Sequence, residues 1–91
     1  MYQVPSEFSE LNFTTRLDGI EAIVQYANYR LSIIRTTMSY GSEQGLYEIG
    51  VLGVNGYPMI ELPGITDEGN TVKGFLTEDD VTNIMKKMKM L

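Results

Sequence analysis

Residues 39–56, Ser-Tyr-Gly-Ser-Glu-Gln-Gly-Leu-Tyr-Glu-Ile-Gly-Val-Leu-Gly-Val-Asn-Gly, hold five glycines and two tyrosines, and the fold turns on how they are read. A phosphate-cradling loop needs a glycine-rich turn followed by Lys and Ser or Thr, and then a helix whose N-terminus faces the anion. Here Gly45 is followed by Leu46, Tyr47, Glu48, Ile49, Gly50 and Val51, and the segment has no lysine. Residues of this kind favour strand over helix. Gly41 and Gly45 therefore bracket a hairpin loop, and Leu46 to Val54 forms a strand. Asn55-Gly56 predicts a tight type I′ turn, whose two central positions both need positive φ.

The strand before that loop is Tyr29 to Tyr40, β-branched and aromatic, without Gly or Pro. Its apolar alternation changes phase between Ile33 and Ile34, which implies a bulge or burial on both faces. Further upstream, Asp18 to Ala27 predicts a short helix. Asp18 caps it, Glu21 completes a capping box, and Ile20, Ile23, Val24 and Ala27 share one face. Asn12 to Thr15 is a candidate strand. Downstream, Met59 to Leu62 reads as a short edge strand between Pro58 and Pro63, neither of which can donate to a ladder. Gly64 to Asn70 is a polar loop and Thr71 to Leu76 another strand. Thr77 caps a terminal helix with Glu78, Asp79 and Asp80 at the positive end of its dipole and lysines at the other. Val81, Ile84, Met85, Met88 and Leu91 form its apolar stripe.

The expected architecture is a single domain over residues 1–91, an α+β two-layer sandwich. An antiparallel meander of three to five strands carries an N-terminal-half helix and a C-terminal helix on one face. At 43% hydrophobic and 21% charged residues the composition is that of a globular protein, so packing supplies the stability. No cysteine is present, which removes disulfides, thiolate metal sites and a cysteine nucleophile. No histidine is present either, which removes the commonest general base and metal ligand. The first residues lack the pattern of a signal peptide and no apolar run spans a bilayer, so the expectation is a cytoplasmic protein without a membrane partner.

Twelve acidic against seven basic residues give a net charge of −5, which disfavours direct nucleic-acid binding. Lys86, Lys87 and Lys89 lie in the final stretch, so an acidic body carries a basic tail. Glu78, Asp79 and Asp80 diverge from a helix start and have a capping role, and Asp67 to Asn70 lacks calcium-loop spacing. No cofactor, metal or catalytic residue is expected. Glu48 and Glu61 are the one candidate carboxylate pair, with nothing to separate them from acids on a solvated sheet. The turns are more informative: Tyr40, Tyr47 and Tyr57 flank them, Glu43 sits between the first two, and Asp67 and Glu68 occupy the later polar loop. Exposed aromatics ringed by acids grip basic protein surfaces, so these six are the candidate partner-binding residues. Met85, Met88 and Met90 are core filler or the face of a possible homodimer.

The pattern Ser39-Tyr40-Gly41, then Gly45-Leu46-Tyr47-Glu48, then Leu76-Thr77-Glu78-Asp79-Asp80-Val81, resembles small bacteriophage-encoded proteins over about the last two-thirds of the chain. The resemblance implies a setting and no functional residues. It implies a non-enzymatic binding module, an acidic inhibitor of anti-CRISPR or similar type that engages a basic surface of a host nucleic-acid-handling or defence protein. Its acids would steer association and its tyrosines anchor the complex. The alternative is an assembly protein that forms a homo-oligomer through a strand edge or the C-terminal helix. A small-ligand binder is third.

Overall fold

A computed structural model describes residues 4–16 and 18–91. Five strands, β1 (Thr14–Arg16), β2 (Gly19–Gln25), β3 (Tyr29–Thr36), β4 (Tyr47–Gly53) and β5 (Val72–Leu76), precede one helix, α1 (Glu78–Lys89). The strands form one antiparallel sheet in chain order, β1-β2-β3-β4-β5. Short 3-10 turns at Phe8–Glu10 and Ser42–Gln44 complete the order. The α+β class and the meander are as expected.

The predicted N-terminal-half helix is not present: Asp18 to Ala27 is β2 and its turn. The reason lies in a second periodicity in the same residues. Ile20, Ala22, Val24 and Tyr26 form a row of period two, and the last three are buried, whereas Ile23 of the helical pattern is 48% exposed. β2 pairs with β1 on one side and β3 on the other, placing Ala22 opposite Ile33 and Val24 opposite Leu31. Such pairing satisfies the backbone and packs β-branched side chains, while a ten-residue helix would be marginal by itself. Asp18, expected as a helix cap, instead accepts the Thr37 hydroxyl at 3.0 Å. Glu21 lies beside Arg16 at 3.8 Å.

The phase change in β3 reflects apolar residues on both faces, because its register runs unbroken against both neighbours. Leu31 and Ile33 point inward and are fully buried, and Ile34 points the other way. The inward face meets Val81, Ile84, Met85 and Met88 of α1, with Ile49, Val51 and Ile65 in the same cluster. The N-terminal segment covers the remaining edge through Phe8 and Phe13. The Phe8 N–H is held by the Thr82 hydroxyl at 2.9 Å. At about 1.5–3 kcal/mol for each fully buried aliphatic side chain, this single layer of contacts is the main stabilising term.

Two turn expectations are corrected. Gly56 has φ +87°, but Asn55 is not at positive φ, so a type I′ turn is excluded. The loop closes instead with the Gly56 N–H on the Gly53 carbonyl at 2.9 Å and the Gly53 N–H on the Pro58 carbonyl at 3.0 Å. Met59 to Leu62 makes one bridge, Met59 to Leu52, and not a strand. Pro63 cannot donate to a ladder, and the chain turns where Ile65 and Thr66 donate to the Leu62 carbonyl. That leaves the start of β4 to β5, which pairs Val72 with Gly50 and Leu76 with Tyr47.

The helix is as the sequence implied, except that Leu91 of the expected stripe lies beyond α1 and is half exposed. The Thr77 hydroxyl accepts the Asp80 N–H at 3.1 Å and the Asp80 carboxylate accepts the Thr77 N–H at 3.0 Å. Among the described residues no helix is long and apolar enough to cross a membrane.

Candidate partner-binding surface

The end of the sheet where β3 passes to β4 is built by glycines. Gly41 at φ +91° and Gly45 at φ +75° bracket the Ser42–Gln44 turn, and the Leu46 N–H closes on the Gly41 carbonyl at 3.0 Å. At the turn's entry the Ser39 hydroxyl accepts the Thr36 N–H at 2.9 Å and donates to the Thr36 carbonyl at 3.0 Å. Tyr40 follows, its N–H held by the Glu48 carboxylate at 2.8 Å.

Across from Glu48 the ladder between β4 and β5 slips its register between Tyr47 and Ile49. A bulge of this kind re-aims a side chain. The re-aimed residue is Phe75, which sits at φ +59° as the sole described non-glycine at positive φ, and is 57% exposed. Its N–H donates to the Tyr40 carbonyl at 3.2 Å. The Tyr40 ring, 59% exposed, stacks on the Phe75 ring at 6.5 Å and 19°. Two glycines make the approach possible: a Cβ on Gly74 would lie 2.4 Å from the Tyr40 Cβ, and one on Gly41 would lie 2.9 Å from the Phe75 Cα. The pair is therefore fixed by backbone and not by burial.

Acids flank the Tyr40 side of this pair, while Phe75 also borders a cleft lined by Asp80, Lys73 and Lys87. Glu43 shares a groove of about 210 Å³ with both rings, and Glu48 is bonded to Tyr40. Asp18 and Glu43 line an adjoining shallow cleft of about 430 Å³. Glu78, Asp79 and Asp80 open α1 just beyond Phe75, and the Thr77 N–H and hydroxyl hold the Asp80 carboxyl below its ordinary range. The Arg35 guanidinium also lines the cleft, but lies over the Tyr47 ring at 5.1 Å and bonds its hydroxyl at 3.3 Å.

The six expected contact residues do not form one surface. Tyr40 and Glu43 come together with Phe75. Tyr47 is placed in the core, 6% exposed, under Phe8 at 5.0 Å and Phe13 at 5.9 Å, and its role as a surface anchor is withdrawn. Tyr57 is 84% exposed but follows the far end of β4. Asp67 and Glu68 are exposed in the loop before β5. The strand expected over Thr71 to Leu76 is present as β5 and contains Phe75, but its exposure as a contact residue was missed; its signal was Gly74 beside an aromatic that breaks the alternation of Val72 to Leu76. Glu48 and Glu61 bind separate backbone groups, those of Tyr40 and Gly69. Among the described residues no three acids are grouped so that they could hold a metal ion.

No protein-family model, no curated protein and no solved structure matches this chain.

Proposed function

We propose that this chain is a non-enzymatic protein-binding module, a small acidic inhibitor in the bacteriophage setting its sequence resembles. It engages a basic surface of a host nucleic-acid-handling or defence protein. The observation that supports this most is Phe75, held in a left-handed conformation while more than half exposed beside an equally exposed Tyr40. Left-handed backbone costs about 1–2 kcal/mol for a residue with a Cβ, and neither that strain nor the exposed rings stabilise the fold. Strain of this kind persists where the presented side chain has a use. An exposed aromatic pair with Glu43 and Glu48 on its Tyr40 side suits an arginine: its guanidinium stacks on the Tyr40 ring and donates to the acids beside it. Pre-organised rings also lose little freedom on binding.

The test is affinity capture from bacterial lysate, followed by titration of the identified protein. The partner is expected to carry a basic surface, with affinity that falls steeply as salt rises. Replacing Tyr40 and Phe75 together by Ala should weaken binding by roughly a hundredfold, as for two anchors. Unchanged affinity in that variant, or binding indifferent to salt, refutes the reading.

A further inference from the structure

Phe75 borders two grooves of opposite character. On its Tyr40 side lies the groove that holds Glu43, and on its other side a cleft of about 340 Å³ opens between β5 and α1. Register sets Lys73 directly opposite the buried Ile49, so its side chain leaves β5 on the face that α1 covers. Asp80, Asn83 and Lys87 recur at helical spacing along the α1 side of the cleft. Leu76 and Ile84, both buried, form its floor. Among the described residues neither lysine is in an ion pair. Lys87 donates to the Gly64 carbonyl at 3.2 Å, a neutral acceptor that leaves its charge uncompensated and further N–H groups free. The Asp80 carboxylate is turned to the Thr77 N–H. Two lysines against one acid leave the cleft one unit positive in a protein of net −5.

We infer that this cleft receives a carboxylate side chain of the same partner whose arginine stacks on Tyr40, so the recognised element is an arginine and an acid on one extended segment that crosses Phe75. The inference rests on the proposed function and narrows it. A carboxylate matches the single positive charge and accepts from the lysines and the Asn83 amide together. A phosphate, with its larger charge, would be opposed by Asp80. Phe75 is held by its own backbone at φ +59°, which makes it a fixed ridge between the two grooves. The rings stand 6.5 Å apart, and a van der Waals contact beyond the second adds about 3.5 Å, so about three extended residues span the two charges.

Amide chemical-shift titration of the intact protein tests this with two peptides, each acetylated and amidated: Arg-Gly-Gly-Glu and Arg-Gly-Gly-Gln. The first should shift the amides of Tyr40, Gly74 and Asn83 and bind about fivefold tighter than the second, the gain expected of exposed ion pairs. Lys73→Gln should remove that gain and leave the affinity for Arg-Gly-Gly-Gln unchanged. Lys87→Gln should reduce it as well; if loss of the Gly64 bond loosens the fold, as circular dichroism would show, Lys73→Gln decides alone. Equal affinity for the two peptides, a gain that survives Lys73→Gln, or inorganic phosphate that shifts the same amides as strongly overturns the inference and leaves the arginine reading in place. Failure of both peptides to bind at about 10 mM overturns the arginine reading and this inference with it.

Discussion

The Phe75 N–H donates to the Tyr40 carbonyl at 3.2 Å, and the two rings stack at 6.5 Å, although thirty-four residues of chain lie between them. One backbone bond thus ties the β3–β4 connection to the last strand and fixes the aromatic pair on which the proposed function rests.

Because the strain is local and the ring exposed, Phe75→Gly should leave stability unchanged or raise it by up to about 1 kcal/mol. Gly74→Ala should do the reverse and cost about 1–3 kcal/mol, since its Cβ would meet the Tyr40 Cβ. Urea denaturation of both variants checks this. A large loss of stability in Phe75→Gly would mean that the ring serves the fold.

Tyr47 and Tyr57 looked alike in sequence and should now separate. Tyr47→Ala removes a ring packed by Phe8, Phe13 and Arg35 and should cost about 3–5 kcal/mol. Tyr57→Ala should change stability by no more than about 0.5 kcal/mol. Equal thermal midpoints for the two variants would contradict the placement of Tyr47.

The loop after β4 gives a backbone test. Gly56→Ala should cost about 1 kcal/mol because φ is +87°, while Asn55→Ala should be close to neutral. A type I′ turn would penalise both. Thermal melts of the two single variants distinguish the geometries.

The helix cap sets a dependence on pH. The Thr77 N–H, with its hydroxyl, lowers the Asp80 carboxyl below its ordinary value, so the folded state favours the ionised form. That contribution is complete above the ordinary value and is lost as pH falls through the lowered one. The wild-type melting midpoint should therefore fall more steeply below about pH 4 than that of Asp80→Asn. Thr77→Ala should cost about 1 kcal/mol at neutral pH. Parallel curves for wild type and Asp80→Asn would remove Asp80 from the cap.

Local chemistry determined much of this protein. Thr77, the acids after it and the stripe from Val81 to Met88 specify α1 without help from the rest of the chain, because caps and helical periodicity act within a few residues. Gly41 and Gly45 likewise announce their turn. The residues from Asp18 to Ala27 carried both a helical and a strand period, and only pairing with β1 and β3 chose between them. Tyr47 and Tyr40 lie near the same turn in sequence, yet one is roofed by Phe8 and Phe13 from the far N-terminal segment and the other is not. The exposed Phe75 depends on a register slip against β4 and on two glycines from separate segments. Burial, register and backbone strain arise from contacts between distant parts of the chain, so the tertiary structure alone decided which aromatics face the solvent together.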